Sequence, residues 1–313
     1  MTQRVGSIAA CVLLLALLLA LPELTRAYYV GLVTKMMIFA LFAMSLDLLL
    51  GYTGLASLGH AAFFGMAAYT IALLLLRAGI GGWFALPASL VMATLTGAAV
   101  ATLALRARGS YFLMITFALA QVVWSVAFGW RSFTSGDDGM PGIARPNFGW
   151  SLDSTNAFYY FTLAVVGLAT LLLVLIVKSP FGCALKGIRE SESRMQALGY
   201  NVWRHQFVAF VLAAAFAGLA GALYAYFNRF VGPEYLHVIQ SAEALIMVIL
   251  GGAGTLVGPA IGAALIVFLE DYVSSMTEHW LLVLGTIYVL VTLFAPRGLV
   301  GLVVDFRQRR AES

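Results

Sequence analysis

The sequence predicts an all-α, polytopic membrane protein with about ten transmembrane helices. Of its 313 residues, 62% are hydrophobic and only 10% are charged. Mean hydropathy is +0.95. A soluble domain needs about a quarter charged residues to cover its surface, so most of this exterior must face lipid. Long apolar runs alternate with short polar links, and the Lys and Arg residues fall at the edges of those runs. That pattern accounts for the net charge of +4 by membrane topology, with no nucleic-acid partner.

A helix needs about 20 apolar residues to cross ~30 Å of hydrocarbon. The first run, Gly6–Leu21, follows Arg4 and is read as a retained span. A cleaved signal is the alternative, with Thr25-Arg26-Ala27 a weak cleavage site. Further spans are expected at Tyr28–Leu50, His60–Leu76, Trp83–Leu105, Tyr111–Trp130, Ala157–Val177 and Phe207–Phe227. The last three are Ser241–Leu250, Pro259–Val273 and Trp280–Ala295. Ser241–Leu250 is short enough to be re-entrant, which leaves eight or nine spans as alternatives to ten. With ten spans, 12 of the 18 Lys and Arg residues fall on the side of both termini, which makes that side cytoplasmic. Residues 1–305 then form one transmembrane domain and 306–313 a cytoplasmic tail. Spans two to five run opposite to spans seven to ten, as an inverted 4+4 repeat requires. The halves show no residue-by-residue match.

Two links stand out. Residues 131–156, RSFTSGDDGMPGIARPNFGWSLDSTN, form the largest loop on the periplasmic side and favour turns through Gly, Ser, Asp and Pro. Residues 179–201, SPFGCALKGIRESESRMQALGYN, form a charged island on the cytoplasmic side. Within it, Ala184, Leu185, Ile188, Met195 and Leu198 recur at helical spacing among Lys186, Arg189, Glu190, Glu192 and Arg194. This reads as one short amphipathic helix ended by Gly199. Its mixed charge favours docking to a protein over lying on a membrane.

Two spans are broken by glycine. GYTGLASLGHAAFFGMAAYT carries Gly51, Gly54 and Gly59 beside Ser57 and His60. LGGAGTLVGPAIGAA carries Gly251, Gly252, Gly254, Gly258 and Gly262. Unwound backbone at membrane depth must be buried in protein or line a cavity, and paired interruptions point to a transport path. The plainer reading is tight helix crossing, preferred for Gly258 and Gly262. A hinge or cavity is preferred for Gly51–His60.

Asp47 lies in span two, where a carboxylate costs ~3 kcal/mol unless it finds protein or water. It reads as a gate residue or, preferably, as one reaching the interface or a buried hydrogen-bonding partner. Lys35 can reach the outer interface along its stem. Glu243, Glu270 and Asp271 read as interface residues. His60 has no second ligand at metal spacing and reads as a structural histidine, so no metal site is expected. Cys11 and Cys183 imply no disulfide framework. No catalytic motif and no GxxxxGK[ST] loop for ATP occurs, so the chain is not expected to be an enzyme, and if it pumps, its energy is expected to enter through a partner.

Several of these stretches, in order, resemble the LivM-type permeases of branched-chain amino acid ABC importers. They are LLLGYTGLASLGHAAFFGMAAYT, TFALAQ, SGDDGMPGI, the island running on through VWRHQFVAFVLAAAFAGLAGALYA, LGGAGTLVGPAIGA and APRGLVGL. The resemblance runs from about Tyr28 to Leu302 and implies a bacterial inner-membrane protein. It makes the island a coupling helix seated in a cytoplasmic ATPase, a role carried by Lys186, Arg189, Glu190, Glu192, Ala197, Leu198 and Gly199. It implies a related permease, two ATP-binding subunits that hold ATP and Mg, and a periplasmic binding protein. The chain departs from the family's pattern at Cys183, Ser191, Leu55 and Asp47, the last standing where Asn is common. Permeases for urea, short amides or other amino acids remain alternatives. A stand-alone channel or ion-coupled carrier is the reading from another class.

Overall fold

The computed structural model describes residues 15–146 and 151–277 in two continuous runs, together with positions 13, 279, 282, 283, 285, 286, 289 and 298. The expected span Trp280–Ala295, the 306–313 tail, Cys11 and the first part of Gly6–Leu21 lie wholly or largely outside the described residues.

Apolar helices dominate. They are α1 (Leu15–Leu24), α2 (Ala27–Thr53), α3 (His60–Leu76), α4 (Gly82–Ala104) and α5 (Ser110–Gly129). After one turn of helix, α6 (Arg131–Thr134), come α7 (Thr155–Lys178), α8 (Pro180–Glu190), α9 (Glu192–Ala197), α10 (Val202–Asn228), α11 (Val238–Gly251) and α12 (Val257–Ser274). Six of these, α2, α4, α5, α7, α10 and α12, are long and apolar enough to cross a membrane. The shorter apolar helices are α1, α3 and α11. The helix at α1 runs on past Leu21, through Pro22 and Glu23, and receives hydrogen bonds from Tyr159 and Tyr160 of α7 at the carbonyls of Leu18 (2.7 Å) and Leu19 (3.1 Å).

Polar caps start the helices that leave the links. The hydroxyl of Ser154 accepts from the Ala157 amide to begin α7, and the Asn201 side chain accepts from the Arg204 amide to begin α10. These are ordinary N-caps for otherwise unpaired N–H groups. In the middle of the bundle α2, α3 and α10 pack together, with α4 lying along α3 and α10 and α12 along α11 and α2. The close crossings use small residues: Gly97 faces Ala214, Gly218 faces Ala93, and Gly221 lies against the Phe64 carbonyl. The expected packing role of Gly258 and Gly262 agrees with the structure. Gly258 abuts Gly251 and Gly262 abuts the Met247 carbonyl, so α11 and α12 form a tight antiparallel hairpin.

At one end of the bundle lies the 131–156 loop, described except for 147–150. Met140–Pro141 (β1) pairs antiparallel with Phe230–Val231 (β2), in the register Met140 to Val231. Arg145 donates to the carbonyls of Leu152, Asp153 and Ser154 and lies 4.4 Å from the Phe158 ring centroid. Burial and the neighbouring Arg229 push its pKa down, and Asp153 opposes them. An arginine starts far enough above neutrality to keep its charge.

Lys35, expected to reach the outer interface along its stem, is part-exposed and pairs with Glu270 of α12 at 3.0 Å, a partner the sequence did not reveal, while Tyr28 donates to Asp271 at 2.5 Å. These contacts stitch the start of α2 to the end of α12.

Gly221→Ala should destabilise the protein by about 1–3 kcal/mol, because its Cβ would overlap the Phe64 backbone, which cannot swing aside. Gly31→Ala meets open space and should be neutral or mildly stabilising. Thermal unfolding of both variants in detergent checks the contrast.

Candidate functional site

Two breaks in the helices meet at the end of the bundle opposite the 131–156 loop. The first follows α2. Gly54 caps that helix in the left-handed region, φ 76°, and its amide returns to the Leu49 carbonyl. Residues 54–59 then run back without helix until α3 begins at His60. The second lies between α11 and α12, where Gly252 (φ 109°) and Gly254 (φ 86°) turn the chain and Leu256 holds φ 58°. A left-handed leucine is costly and persists only where its surroundings demand it.

Asp47 supplies that demand. It is fully buried in the last turns of α2. Its Oδ1 accepts from the Gly254 amide at 2.7 Å and its Oδ2 from the Leu256 amide at 3.1 Å. Both carboxylate oxygens are thus used on backbone donors that the break in helix leaves unpaired. One turn further along, Gly51 leaves room for this approach: a Cβ there would overlap the Asp47 carboxylate and the Gly254 amide. Of the plainer readings of Asp47, the buried hydrogen-bonding partner matches this geometry and the reach to the interface does not.

The island joins the same junction. Arg189 donates from Nη1 to the Gly51 carbonyl, and its stem lies beside Gly54. Lys186 Nζ stands 5.3 Å from the Tyr52 ring centroid. Gly51, Lys186, Arg189, Glu190 and Gly254 line an open cavity of about 350 Å³.

The island is not the single amphipathic helix that its spacing predicts. It breaks at Ser191, which adopts extended φ −162°, ψ 105°, and whose hydroxyl caps α9 through the Arg194 amide at 3.3 Å. Serine competes for the backbone in this way and starts a new helix. Gly199 does stand at the C′ position, with φ 87°. The apolar face is largely spent within the chain. Ala184, Ile188 and Met195 cluster with Val202, and Leu185 enters the main core. Leu198 departs from that face and is 68% exposed. Glu192 turns inward, accepting from Gln206 Nε2 at 2.8 Å and facing Arg108 at 3.8 Å. Lys186, Glu190, Ala197, Leu198 and Gly199 are exposed.

The remaining candidates are sealed. Ser57 is fully buried, and its hydroxyl accepts from the Gly59 amide at 3.2 Å. Gly59 packs on the Thr116 carbonyl. His60 stacks on Phe42, and its Nε2 lies 2.8 Å from Ser45 Oγ. Its Nδ1 has no hydrogen-bond partner among the described residues. Gly251 lies in the hairpin contact with Gly258, and Gly252 packs against Gly298. No group of metal-ligating residues occurs among the described residues.

With this arrangement in view, a family model described as "Branched-chain amino acid transport system / permease component" matches residues 28–292. The chain belongs to this family. It is 30% identical to the high-affinity branched-chain amino acid transport system permease protein LivM of Escherichia coli K12, over 92% of this chain and 73% of that one. The LivM protein of Salmonella typhimurium is 29% identical over 91% of this chain and 73% of its own. The LivH permease of E. coli K12 is 26% identical over 84% of this chain and 91% of its own. No solved structure matches. Within this permease the matched span includes both helix breaks, the island and Asp47.

The pairing of Asp47 with Gly254 and Leu256 is what residue reasoning missed. The signal for it existed. A lone carboxylate within a span needs donors, and a glycine-broken segment elsewhere has unpaired N–H groups to give. Asp47→Ala should strand the buried Leu256 amide, at about 1–3 kcal/mol, free the half-buried Gly254 amide at a smaller cost, and lower the unfolding temperature. Asp47→Asn keeps one acceptor but turns an NH2 donor toward the other amide, so it should cost less than Asp47→Ala without restoring the wild-type stability. Thermal unfolding of the two variants, at equal membrane abundance, measures the difference.

Proposed function

We propose that this permease subunit forms the translocation pathway of an ATP-driven importer of branched-chain amino acids, together with a related permease. In the reading we favour, two cytoplasmic ATP-binding subunits hold ATP and Mg, and a periplasmic binding protein delivers the substrate. The observation that carries the proposal is the chain of contacts from the exposed island through Arg189 to Gly51, and from Asp47 to the α11–α12 turn. A push on the island would reach both broken helices through hydrogen bonds to backbone, with no long lever. A switch of this kind needs contacts that differ between two states. The Arg189 and Asp47 bonds are the ones we assign to that role. The pathway residues would then be Asp47, Gly51, Gly54, Gly251, Gly252 and Gly254, with Ser57, Gly59 and His60 as the packed base of the α3 end.

Orientation follows from charge. Arg108 pairs with Glu192 at the island's end of the bundle, while the 131–156 loop pairs with β2 at the other. The Lys/Arg bias makes the island's end cytoplasmic, along with both termini, and the loop's end periplasmic. In this reading the chain has ten spans arranged as an inverted repeat, and the repeat draws support from the packing of the described helices. The α3–α4 hairpin lies on α10 much as the α11–α12 hairpin lies on α2.

In this assembly Leu198, exposed and free of the chain's own core, is the anchor we assign to the ATPase. Leu198→Ala should weaken attachment by about 2 kcal/mol, roughly 30-fold, read by co-purification of the ATPases. Arg189→Ala should leave attachment intact while uptake and substrate-stimulated ATP hydrolysis fall together in proteoliposomes. If both variants behave as wild type, the island does not couple the two.

Topology has its own check. In a background lacking Cys11 and Cys183, a cysteine at Ser132 should label from outside intact cells and one at Ser193 should not. The opposite result would invert the orientation.

A further inference from the structure

At the end of the bundle opposite the Asp47 junction, α3, α4 and α5 spread apart and leave a groove open to the side. Its volume is about 570 Å³, within the roughly 300–1,000 Å³ typical of small-molecule sites. Met66, Leu73, Met92, Val122 and Val126 form much of its wall, and Phe133 of α6 closes the top. The threonines at its edge are already engaged, while Tyr69 also lines the groove and its buried hydroxyl has no hydrogen-bond partner among the described residues. Thr70 donates to the Met66 carbonyl, and Thr134 to the carbonyls of Ala127 and Trp130. The wall therefore offers almost nothing but hydrocarbon contact, and it lies at membrane depth beside exposed Val122 and Val126.

The mouth has the opposite character. Arg77 caps the end of α3, is exposed, and lies with its Cζ 5.7 Å from the ring centroid of Phe133. Arg131 begins the same one-turn helix that carries Phe133 and is exposed as well. Among the described residues neither arginine forms an ion pair, although Asp137 and Asp138 follow in the next turn. The Arg77 guanidinium thus stands at the groove through Phe133, with Arg131 two residues before Phe133 in the chain and with no ion pair among the described residues to hold either arginine. Trp130, an amphipathic ring typical of a membrane–water interface, ends α5.

We infer that this groove binds an anionic phospholipid, with an acyl chain between α3, α4 and α5 and the phosphate on Arg77 and Arg131. Charge complementarity selects the headgroup, since a guanidinium forms charge-assisted bonds to a lipid phosphate and only the anionic lipid lacks a cationic group that offsets that attraction. The apolar wall selects the tail. A transmembrane helix of another subunit would fill the slot equally well but would have no use for two arginines at its mouth.

The test uses the full chain, purified with the subunits that accompany it. Native mass spectrometry counts retained phosphatidylglycerol and phosphatidylcholine of matched acyl chains. Wild type should retain phosphatidylglycerol preferentially. Arg77→Gln with Arg131→Gln should reduce that retention roughly 10–30-fold, to the phosphatidylcholine level. Val122→Trp, at an exposed position on the wall, should reduce retention of both lipids. A photo-reactive benzophenone side chain at Val126 should cross-link to lipid. Equal retention of the two lipids by wild type would overturn the proposal. So would an unchanged preference in the double variant, or a cross-link from position 126 to another protein chain.

Discussion

One carboxylate organises the end of this permease that faces the island. Asp47 is buried among apolar helices, where an unpaired charge is not sustainable. It persists because the α11–α12 turn presents two amides that would otherwise be unpaired in the same low-dielectric setting. Each side of the contact removes the other's penalty. The consequence is geometric: α2 cannot shift along α12 at this end without freeing both the carboxylate and the turn. The other end of the same helix pair is tied by Lys35 to Glu270 and by Tyr28 to Asp271. The breaks in helix therefore sit within a closed set of contacts.

The same requirement explains why non-helical backbone can lie so deep. Helix α3 begins inside the bundle, where its first amides need acceptors from elsewhere. Ser241 of α11 accepts from the Ala61 amide at 2.8 Å, and Thr116 of α5 accepts from the Leu58 amide at 3.3 Å. Glycines at 51, 59 and 251 let the backbones approach closely enough for such bonds. Small residues and polar caps act together here, since close approach without acceptors would leave donors stranded.

The island has two faces with different tasks. Ala184, Leu185, Ile188 and Met195 hold it to the bundle, and Glu192 ties it to Gln206 and Arg108. Its outward side keeps Lys186, Glu190, Leu198 and Gly199. An element fixed on one face and open on the other is what the coupling role proposed above requires. A helix free on all sides would move without moving anything else.

Much of the architecture was legible in the chain because lipid is a demanding solvent. It forces apolar residues outward as well as inward, so the helices α2 to α5, α7 and α10 to α12 stand out as runs whose ends differ from the observed ones by a few residues. The island, the two glycine-broken segments and the family resemblance were legible for the same reason, each being an exception to the apolar rule. Spacing did not reveal the break at Ser191, because a serine within an amphipathic repeat looks the same whether it faces water or caps a new helix. Nor could it reveal that Lys35 finds Glu270, or that Asp47 binds amides 207 and 209 residues away. Hydropathy is a property of each residue and its near neighbours, whereas the partner of a buried polar group depends on which helices pack together. That choice is made by shape and by backbone donors, and neither leaves a periodic trace along the chain.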